Sequence, residues 1–295
     1  MKTRKGKDLI IFNVMGYLII SFFALLSVIP FLLIISGSFT AEETIIRYGY
    51  NLVPKKISFD AYRFVMEAPS TVIRAYCVTI TLTLVGTVLS LFLMAMTAYV
   101  LQRKDFPYRN FFSLFFYFTT LFSGGLVPTY ILMIKYLNMK NNFLALLLPM
   151  LFSVFYIIII RTFMSVLPDS ISESAKIDGA GDFRIFITLI LPLSKPVLAT
   201  IGLFTALGYW NDWIHAMLYI QRESMYPLQY YLYKVLSRID FIKSIAATAT
   251  SVKVELPQES FKLAMTVVTT GPIIFLYPYL QKYFIKGLTI GAVKG

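Results

Sequence analysis

Long apolar runs dominate this sequence, and they restrict what the chain can fold into more than any other feature. A bilayer core about 30 Å thick is crossed by roughly 20 helical residues. Six runs approach or exceed that length: 14–36, 75–101, 111–134, 143–160, 197–220 and 263–281. Within lipid each run has to be helical, because no water is present to satisfy an open backbone. The sequence therefore predicts an all-α integral membrane protein with about six transmembrane helices.

The composition supports a membrane protein over a soluble one. Only 14% of the residues are charged and 58% are hydrophobic, whereas a soluble domain carries roughly 25% charged residues. The net charge of +12 does not indicate nucleic-acid binding, because the basic residues form short groups between apolar runs instead of one clustered face. The single cysteine, Cys77, excludes a disulfide framework, and we expect it to be a buried small side chain.

The residues around the first run give the orientation. Four basic residues lie within 2–7, whereas Glu42 and Glu43 follow the run. No small-x-small cleavage motif follows, so the run is interpreted as a retained helix rather than a signal peptide. Lys and Arg near span ends favour the cytoplasmic side. We therefore expect a multi-pass membrane protein with the N-terminus and, for an even number of spans, the C-terminus in the cytoplasm.

A polar segment, 161–196, separates the fourth and fifth runs and is cytoplasmic in this orientation. Ser170 and Glu173 have the spacing of a capping box, and Gly179 is a natural C-terminal cap, so a short helix is predicted between them. Ala175 and Gly179 would leave a stripe of small side chains that another backbone can approach. The polar residues around it are mostly acidic, which favours a protein partner over a lipid surface.

This segment resembles the EAA loop in permeases of binding-protein-dependent ABC importers. The family pattern is Glu-Ala-Ala, three residues, glycine, nine residues and Ile-x-Leu-Pro. Here Glu173-Ser174-Ala175 is followed by Gly179 and then by Leu189-Ile190-Leu191-Pro192, so that Ser174 and Leu189 depart from the pattern. The resemblance implies a type I ABC importer permease fold in a bacterial-type plasma membrane, with a coupling helix between helices four and five. The implied ATPase-coupling residues are Glu173, Ser174, Ala175, Asp178 and Gly179.

Further stretches resemble the carbohydrate-uptake branch of that family, of the maltose-transporter type. They are Trp210-Asn211-Asp212-Trp213 in the fifth run, the segment 256–262 ahead of the sixth run, and the tail 286–295. The tail and the segment 226–232 most resemble the sub-branch for complex oligosaccharides and polysaccharides. The resemblance thus implies sugar transport, with an oligosaccharide as the expected cargo.

Several residues inside the runs are candidates for the translocation path. Counting about 1.5 Å per residue, Asp212 falls in the outer half of the fifth span, and charged residues in spans usually face the bundle interior. We therefore assign Trp210, Asn211, Asp212 and Trp213 to the path or an outer gate, with an aromatic interface belt as the alternative. Internal prolines such as Pro128 and Pro149 are expected to kink helices rather than end them. Gly271 and Pro272 predict such a kink in the sixth span.

The sequence also indicates what the chain lacks. It contains no GxxxxGK[ST] phosphate loop, and no nucleophile triad or paired-histidine motif is evident. We therefore expect a transport subunit without catalytic residues, metal or cofactor of its own, with ATP and magnesium bound by a separate ATPase. The resemblance implies two ATPase subunits, an extracytoplasmic solute-binding protein and a second, homologous permease forming a heterodimer. No nucleic-acid partner is expected.

Three regions are predicted along the chain. Residues 1–74 form a cytoplasmic tail, the first helix and an outer loop; 75–285 form the permease core with the EAA loop at 161–196; 286–295 form a cytoplasmic tail. Two alternatives stay open within transport: an ABC permease for peptides or amino acids, and an ion-coupled secondary transporter, which typically shows internal repeats and intramembrane carboxylates. A non-transporting membrane scaffold is a third.

Overall fold

The structure is a computed structural model that describes residues 7–67, 69–248 and 258–274. Within these ranges the regular elements are helices, and the β structure is one isolated bridge between Thr40 and Ile57. The all-α prediction is confirmed. The described residues divide into two compact units: the first from 7–67, 69, 235–248 and 258–271, the second from 70–234 and 272–274.

The helices follow one another through both units. They are α1 (Lys7–Ser38), α2 (Glu42–Tyr48), α3 (Asp60–Val65), α4 (Pro69–Gln102), α5 (Arg109–Leu121), α6 (Leu126–Ile131), α7 (Leu144–Leu147), α8 (Val154–Met164), α9 (Asp169–Ile177), α10 (Asp182–Ile185), α11 (Leu191–Leu193), α12 (Lys195–Asn211), α13 (Ile214–Tyr219), α14 (Leu228–Thr248) and α15 (258–274). Single π-helical turns extend α6 through Leu132–Tyr136 and join α10 to α11 through Phe186–Ile190.

Two described helices are long and apolar enough to cross a membrane alone, Asp8–Ser38 and Pro69–Gln102. Three bent pairs reach that length only when each pair is counted as one span. The pairs are Arg109–Leu121 with Leu126–Tyr136 (110°), Leu144–Met150 with Val154–Met164 (49°) and Asp182–Leu193 with Lys195–Asn211 (81°). The described residues thus hold up to five spans. The predicted sixth, 263–281, extends past residue 274.

The expectation that internal proline and glycine only kink the spans is wrong for the third and fourth runs. Gly125 has φ of +84°, and α6 starts directly after it at Leu126, two residues ahead of Pro128. Pro149 lies in a short 3-10 turn that separates α7 from α8. The fifth run is also interrupted, because Asp212 is extended and ends α12 before the predicted end of that span. Each break leaves backbone groups outside the helical hydrogen-bond ladder.

In the first unit, a carboxylate in the first turn of α2 holds the start of α15. The Glu42 carboxylate accepts hydrogen bonds from the backbone N–H groups of Glu259 and Ser260, each at 2.9 Å, and from the Ser260 hydroxyl at 2.8 Å. The first N–H groups of a helix lack intrahelical partners, and a carboxylate there also opposes the helix dipole. The Tyr50 hydroxyl donates to Glu259 at 2.8 Å, and burial with this contact raises the pKa of Tyr50 to about 12.

In the second unit, α4 forms the central contact surface. Its buried residues include Leu82, Gly86, Met94 and Ala98. Gly86 faces the ring of Tyr209 on α12, and a Cβ at residue 86 would lie 2.5 Å from that ring. Tyr209 is fully buried, and its hydroxyl donates to the carbonyl of Leu147 at 2.9 Å. The glycine therefore sets the close approach of α4 and α12.

The prediction that Cys77 is buried is wrong. Ala75 and Thr79, at i and i+4 on α4, are buried and mark the inward face of the helix. Residue 77 lies between them, on the opposite face of the helix, and its side chain is exposed. Both faces of a helix that crosses a membrane are apolar, because one packs on protein and the other faces lipid. The apolar run around Cys77 therefore does not show that its side chain is buried within the chain.

Candidate functional site

The predicted helix in the loop 161–196 is present as α9, but its start differs from the prediction. The helix begins at Asp169 directly after Pro168, and no side chain caps its first turn. Ser170 is therefore inside the helix, so the predicted capping box does not form. The proline fixes the helix start instead, because its backbone is extended with ψ of 130°.

The end of α9 agrees with the prediction. Gly179 has φ of +78°, and its N–H donates to the carbonyl of Lys176 at 3.0 Å. The N–H of Ala180 donates to the carbonyl of Ala175 at 2.9 Å. These two bonds form a Schellman motif, in which a left-handed residue, usually glycine, closes the helix. The predicted cap at Gly179 is confirmed.

One side of α9 packs on the core of its own chain. Leu167, Ala175 and Ala180 contact a buried cluster from α4, α8 and the α10 region. The cluster includes Met94, Ala98, Met164, Ile185 and Phe186. Because Ala175 faces this cluster and Gly179 lies beyond the helix end, the predicted stripe of small side chains does not form on a free face. The apolar contacts of Ala175 instead hold α9 against the buried cluster.

The other side of α9 is exposed. Ser170, Glu173, Ser174 and Ile177 share this outer face, at i, i+3, i+4 and i+7. The predicted residues Asp178 and Gly179 follow it and are also exposed. Ile177 was not predicted, yet it is 87% exposed. Its position out of phase with the inward Ile171 and Ala175 is the sequence signal that identifies it.

Both ends of α9 are joined by ion pairs to the loop that follows α4. Lys104 Nζ lies 2.7 Å from an Asp169 carboxylate oxygen in the first turn. Lys176 Nζ in the last turn lies 3.0 Å from Asp105. Hydrogen bonds from Arg103 and then Lys176 hold the pKa of Asp105 well below its usual range. The hydrogen bond to Asp169 raises the pKa of Lys104, so these contacts stay ionic at neutral pH.

Arg103 extends this network to the start of α10. Its guanidinium pairs with Asp105 and lies 2.5 Å from Asp182, whose carboxylate is also 3.8 Å from Lys176. The Arg103 side chain is only 18% exposed. Hydrogen bonding to Asp105 is the main reason that the pKa of Arg103 is raised. Arg103 and Lys176 thus each contact both Asp105 and Asp182.

The four residues predicted to line a path differ in accessibility. Trp210 is buried against Ala75 and Leu228, and Asp212 is also buried. Asn211 is exposed, and its side-chain oxygen lies 3.4 Å from the amide nitrogen of Gln229. Trp213 is half-buried. At the end of α12, the side chains of Asn211 and Trp213 are therefore accessible, whereas those of Trp210 and Asp212 are buried beside them.

Two contacts near this end were not predicted. His215 places Nδ1 3.0 Å from the Asp212 carboxylate. The ring of Trp213 stacks on that of Tyr233 in α14, with ring centroids 4.7 Å apart. The i, i+3 spacing of Asp212 and His215 was a usable signal, whereas the Trp213 contact joins separate elements and had none.

Gly271 and Pro272, the predicted kink, lie in α15, which remains helical through residue 274. A Cβ at Gly271 would meet no described atom within 4 Å. The part of the sixth run beyond residue 274 is outside the described residues. The kink therefore stays a prediction.

Comparisons with known proteins agree with this architecture. The profile of the family described as "Binding-protein-dependent transport system inner membrane component" matches residues 103–290. Protein LplC of Bacillus subtilis (strain 168) is 40% identical over 295 residues, covering 99% of this chain and 97% of that protein. The polygalacturonan/rhamnogalacturonan transport system permease protein YtcP of the same organism is 36% identical, covering 97% of this chain and 99% of that protein.

A solved structure is also similar. A chain from the crystal structure of a bacterial ABC transporter involved in the import of the acidic polysaccharide alginate matches with a TM-score of 0.81 and 29% identity. The match covers 96% of this chain and 100% of the other. The resemblance predicted from the residues of the 161–196 loop therefore extends over almost the whole chain.

Proposed function

The chain belongs to the family of binding-protein-dependent transport system inner membrane components, and from this premise we propose that it is a permease subunit of an ATP-driven carbohydrate importer. The observation that carries the proposal is full-length similarity to a polygalacturonan/rhamnogalacturonan permease, joined by fold similarity to a chain of an alginate importer. Both cargoes are polysaccharides, so an oligosaccharide or polysaccharide fragment is the proposed cargo. Neither comparison favours peptide cargo or an ion-coupled carrier.

The chain is a multi-pass membrane protein of this family, and we propose that α9 lies on its cytoplasmic side. The basic residues ahead of α1 support this orientation, since Lys and Arg favour the cytoplasmic side of a span. The N- and C-termini are then cytoplasmic as well. The outer-loop carboxylate of Glu42 and the start of α15 fall on the opposite side.

We assign the contact with the ATPase to the outer face of α9 and the residues that follow it. Ile177 supplies an exposed apolar side chain and Glu173 supplies a charge, while Ser174, Asp178 and Gly179 leave the surface otherwise small and polar. The Schellman motif and the packing of Ala175 on the buried cluster hold α9 in a fixed conformation and position. Ala175 thus contributes to coupling by supporting α9 on its inward face, not by touching the ATPase. ATP-driven movement of the ATPase subunits would displace α9 and, through its support, α4 and α8.

The broken spans support a translocation path near the interruptions. Irregular backbone at membrane depth is tolerated where it is buried in protein or lines a water-filled cavity, not where it faces lipid. The break at 122–125 is exposed and therefore faces the path or a partner chain, whereas Asp212 at the second break is buried within this chain. We assign Asn211 and Trp213 to the lining of the path or outer gate, with Trp210 and Asp212 holding them in place.

The proposed assembly contains a second permease chain in a heterodimer, two ATPase subunits and an extracytoplasmic binding protein. The exposed surface of α1 supports such an assembly, because none of its most apolar window is buried within the described structure. That surface is left for lipid or for another chain. ATP and magnesium are placed on the ATPase subunits, and this chain has no proposed catalytic role.

An Ile177→Asp variant tests the assigned contact. Placing a charge at the centre of a desolvated contact costs several kcal/mol, so we expect at least about a tenfold loss of ATPase subunits that copurify with the permease. Ile46→Asp is the matched control, since Ile46 is 71% exposed on α2 and lies on the opposite side in the proposed topology. Copurification is measured from membranes that contain all subunits. Equal retention of the ATPase by both variants would contradict the assignment.

A further inference from the structure

Two adjacent loop residues hold the two ends of α9. Lys104 pairs with Asp169 in the first turn, and Asp105 pairs with Lys176 in the last turn. The two helical residues are seven positions apart, about 10 Å along the axis. Attachment at one point would leave a helix free to swivel, whereas attachment at two separated points also sets its direction.

The loop that makes both contacts follows α4 immediately, since α4 ends at Gln102. Arg103 adds a third contact, from the end of α4 to Asp182 at the start of α10. We propose that these six residues form an ionic clamp (Arg103, Lys104, Asp105, Asp169, Lys176 and Asp182) that fixes the direction of α9 relative to α4. A displacement of α9 then turns the end of α4 with it. This inference rests on the proposed function, because it attributes that displacement to the ATPase.

Packing alone does not set the angle of α9 on this side. A cleft of about 250 Å³ lies between α9 and the end of α4. It is lined by Tyr99, Gln102, Ser172 and Glu173 together with clamp residues. The apolar support of α9 comes through Ala175 and Leu167, which pack on the buried cluster beside this cleft. The ion pairs between the loop and the two ends of α9 therefore lie on the side where side-chain packing is incomplete.

The charges suit an orienting role better than a stabilising one. Most clamp side chains are more than 40% exposed, and exposed ion pairs contribute little to folding stability. Reversing one pair should therefore leave the chain folded while releasing one end of α9. The lowered pKa of Asp105 and the raised pKa of Lys104 keep the clamp ionised around neutrality. Charge reversal is thus a more direct test than a change of pH.

The test is a charge swap in the full chain, assembled with its partner permease, ATPase subunits and binding protein in lipid nanodiscs or proteoliposomes. Asp169→Lys breaks the first attachment, and Lys104→Asp combined with Asp169→Lys restores it with inverted polarity. Lys195→Asp is the control, because Lys195 is exposed at the start of α12 and makes no ion pair among the described residues. Two readouts are followed in separate samples: substrate transported per ATP hydrolysed in the unlabelled assembly, and the spin-label distance between residues 174 and 88, in a Cys77→Ser background, in the permease pair without ATPase subunits.

We expect Asp169→Lys to lower transport per ATP by roughly five- to tenfold, the lower end of the usual range of coupling free energies, and to broaden the distance distribution. The double swap should bring both readouts back to within about twofold of the unmodified chain, and Lys195→Asp should change neither. Unchanged readouts in Asp169→Lys, or a double swap that rescues neither, would overturn the clamp. The distance measurement needs no ATP, so it tests the clamp even if the importer shows no ATP-driven transport, a result that would instead reject the proposed function.

Discussion

Gly179→Val is expected to abolish transport-coupled ATP hydrolysis while leaving the subunits assembled in the membrane. Gly179 has φ of +78°, a conformation that costs a non-glycine residue about 1–2 kcal/mol and a β-branched residue more. Relief of this strain removes the two hydrogen bonds that close α9, to Lys176 and Ala175. The last turn, which carries Ile177 and Asp178, then loses its fixed geometry. We expect stimulation of ATP hydrolysis by the loaded binding protein to fall at least about tenfold.

Gly181→Val is the matched control for this prediction. A Cβ at either glycine would meet no described atom within 4 Å, so crowding is the same at both sites. Gly181 has φ of −71° and ψ of 157°, a region open to any residue. Its variant should keep stimulated hydrolysis within about twofold of the unmodified importer. Equal losses in both variants would show that the left-handed turn at Gly179 is not the feature that matters.

Gly86→Val should produce the largest loss of stability. A Cβ at residue 86 would lie 2.5 Å from the ring of Tyr209, and that ring is fully buried between α4 and α12. Overpacking of a core costs about 1–3 kcal/mol, and displacing the Tyr209 hydroxyl from the Leu147 carbonyl adds roughly 1–3 kcal/mol. We expect the melting temperature of the purified chain to fall by roughly 5–15 °C, with lower yield from the membrane.

Gly16→Val separates this packing effect from the intrinsic effect of valine in a helix. Gly16 lies within α1, and a Cβ there would be more than 4 Å from every described atom outside the adjacent residues and the nearby backbone of its own helix. The two variants share the same change in helix propensity, which favours valine over glycine by a few tenths of a kcal/mol. Gly16→Val should therefore melt within about 2 °C of the unmodified chain. Similar melting temperatures for both variants would contradict the close approach of α4 and α12.

The features that local sequence predicted correctly are those with local causes. The first two spans and the glycine end of α9 follow from apolar length and from the backbone freedom of Gly179. The predicted N-cap of α9, Ser170, lies two residues after the observed one, Pro168. Ser170 and Glu173 match the spacing of a capping box, but the proline sets the boundary. The sequence predicts kinks at Pro128 and Pro149 where the spans are in fact broken, because a bent helix and two short helices give the same apolar run.

Features that depend on distant residues were the ones missed. Lys104 and Asp169 are 65 positions apart, and Trp213 meets Tyr233 across separate helices. Nothing in the spacing of either pair predicts contact. Burial of Trp210 and Asp212 beside exposed Asn211 likewise depends on where α12 ends, which the apolar run did not show. The orientation of the chain and the roles of its site residues remain predictions that the proposed experiments address.

The most direct test of the central claim is uptake into proteoliposomes that contain this chain, its partner permease and the ATPase subunits. Radiolabelled oligogalacturonide, with its binding protein outside and ATP inside, serves as the probe. We predict uptake that requires both ATP and the binding protein and that continues when ionophores collapse all ion gradients. Uptake that proceeds without ATP and stops with the ionophores would contradict the account and identify an ion-coupled carrier.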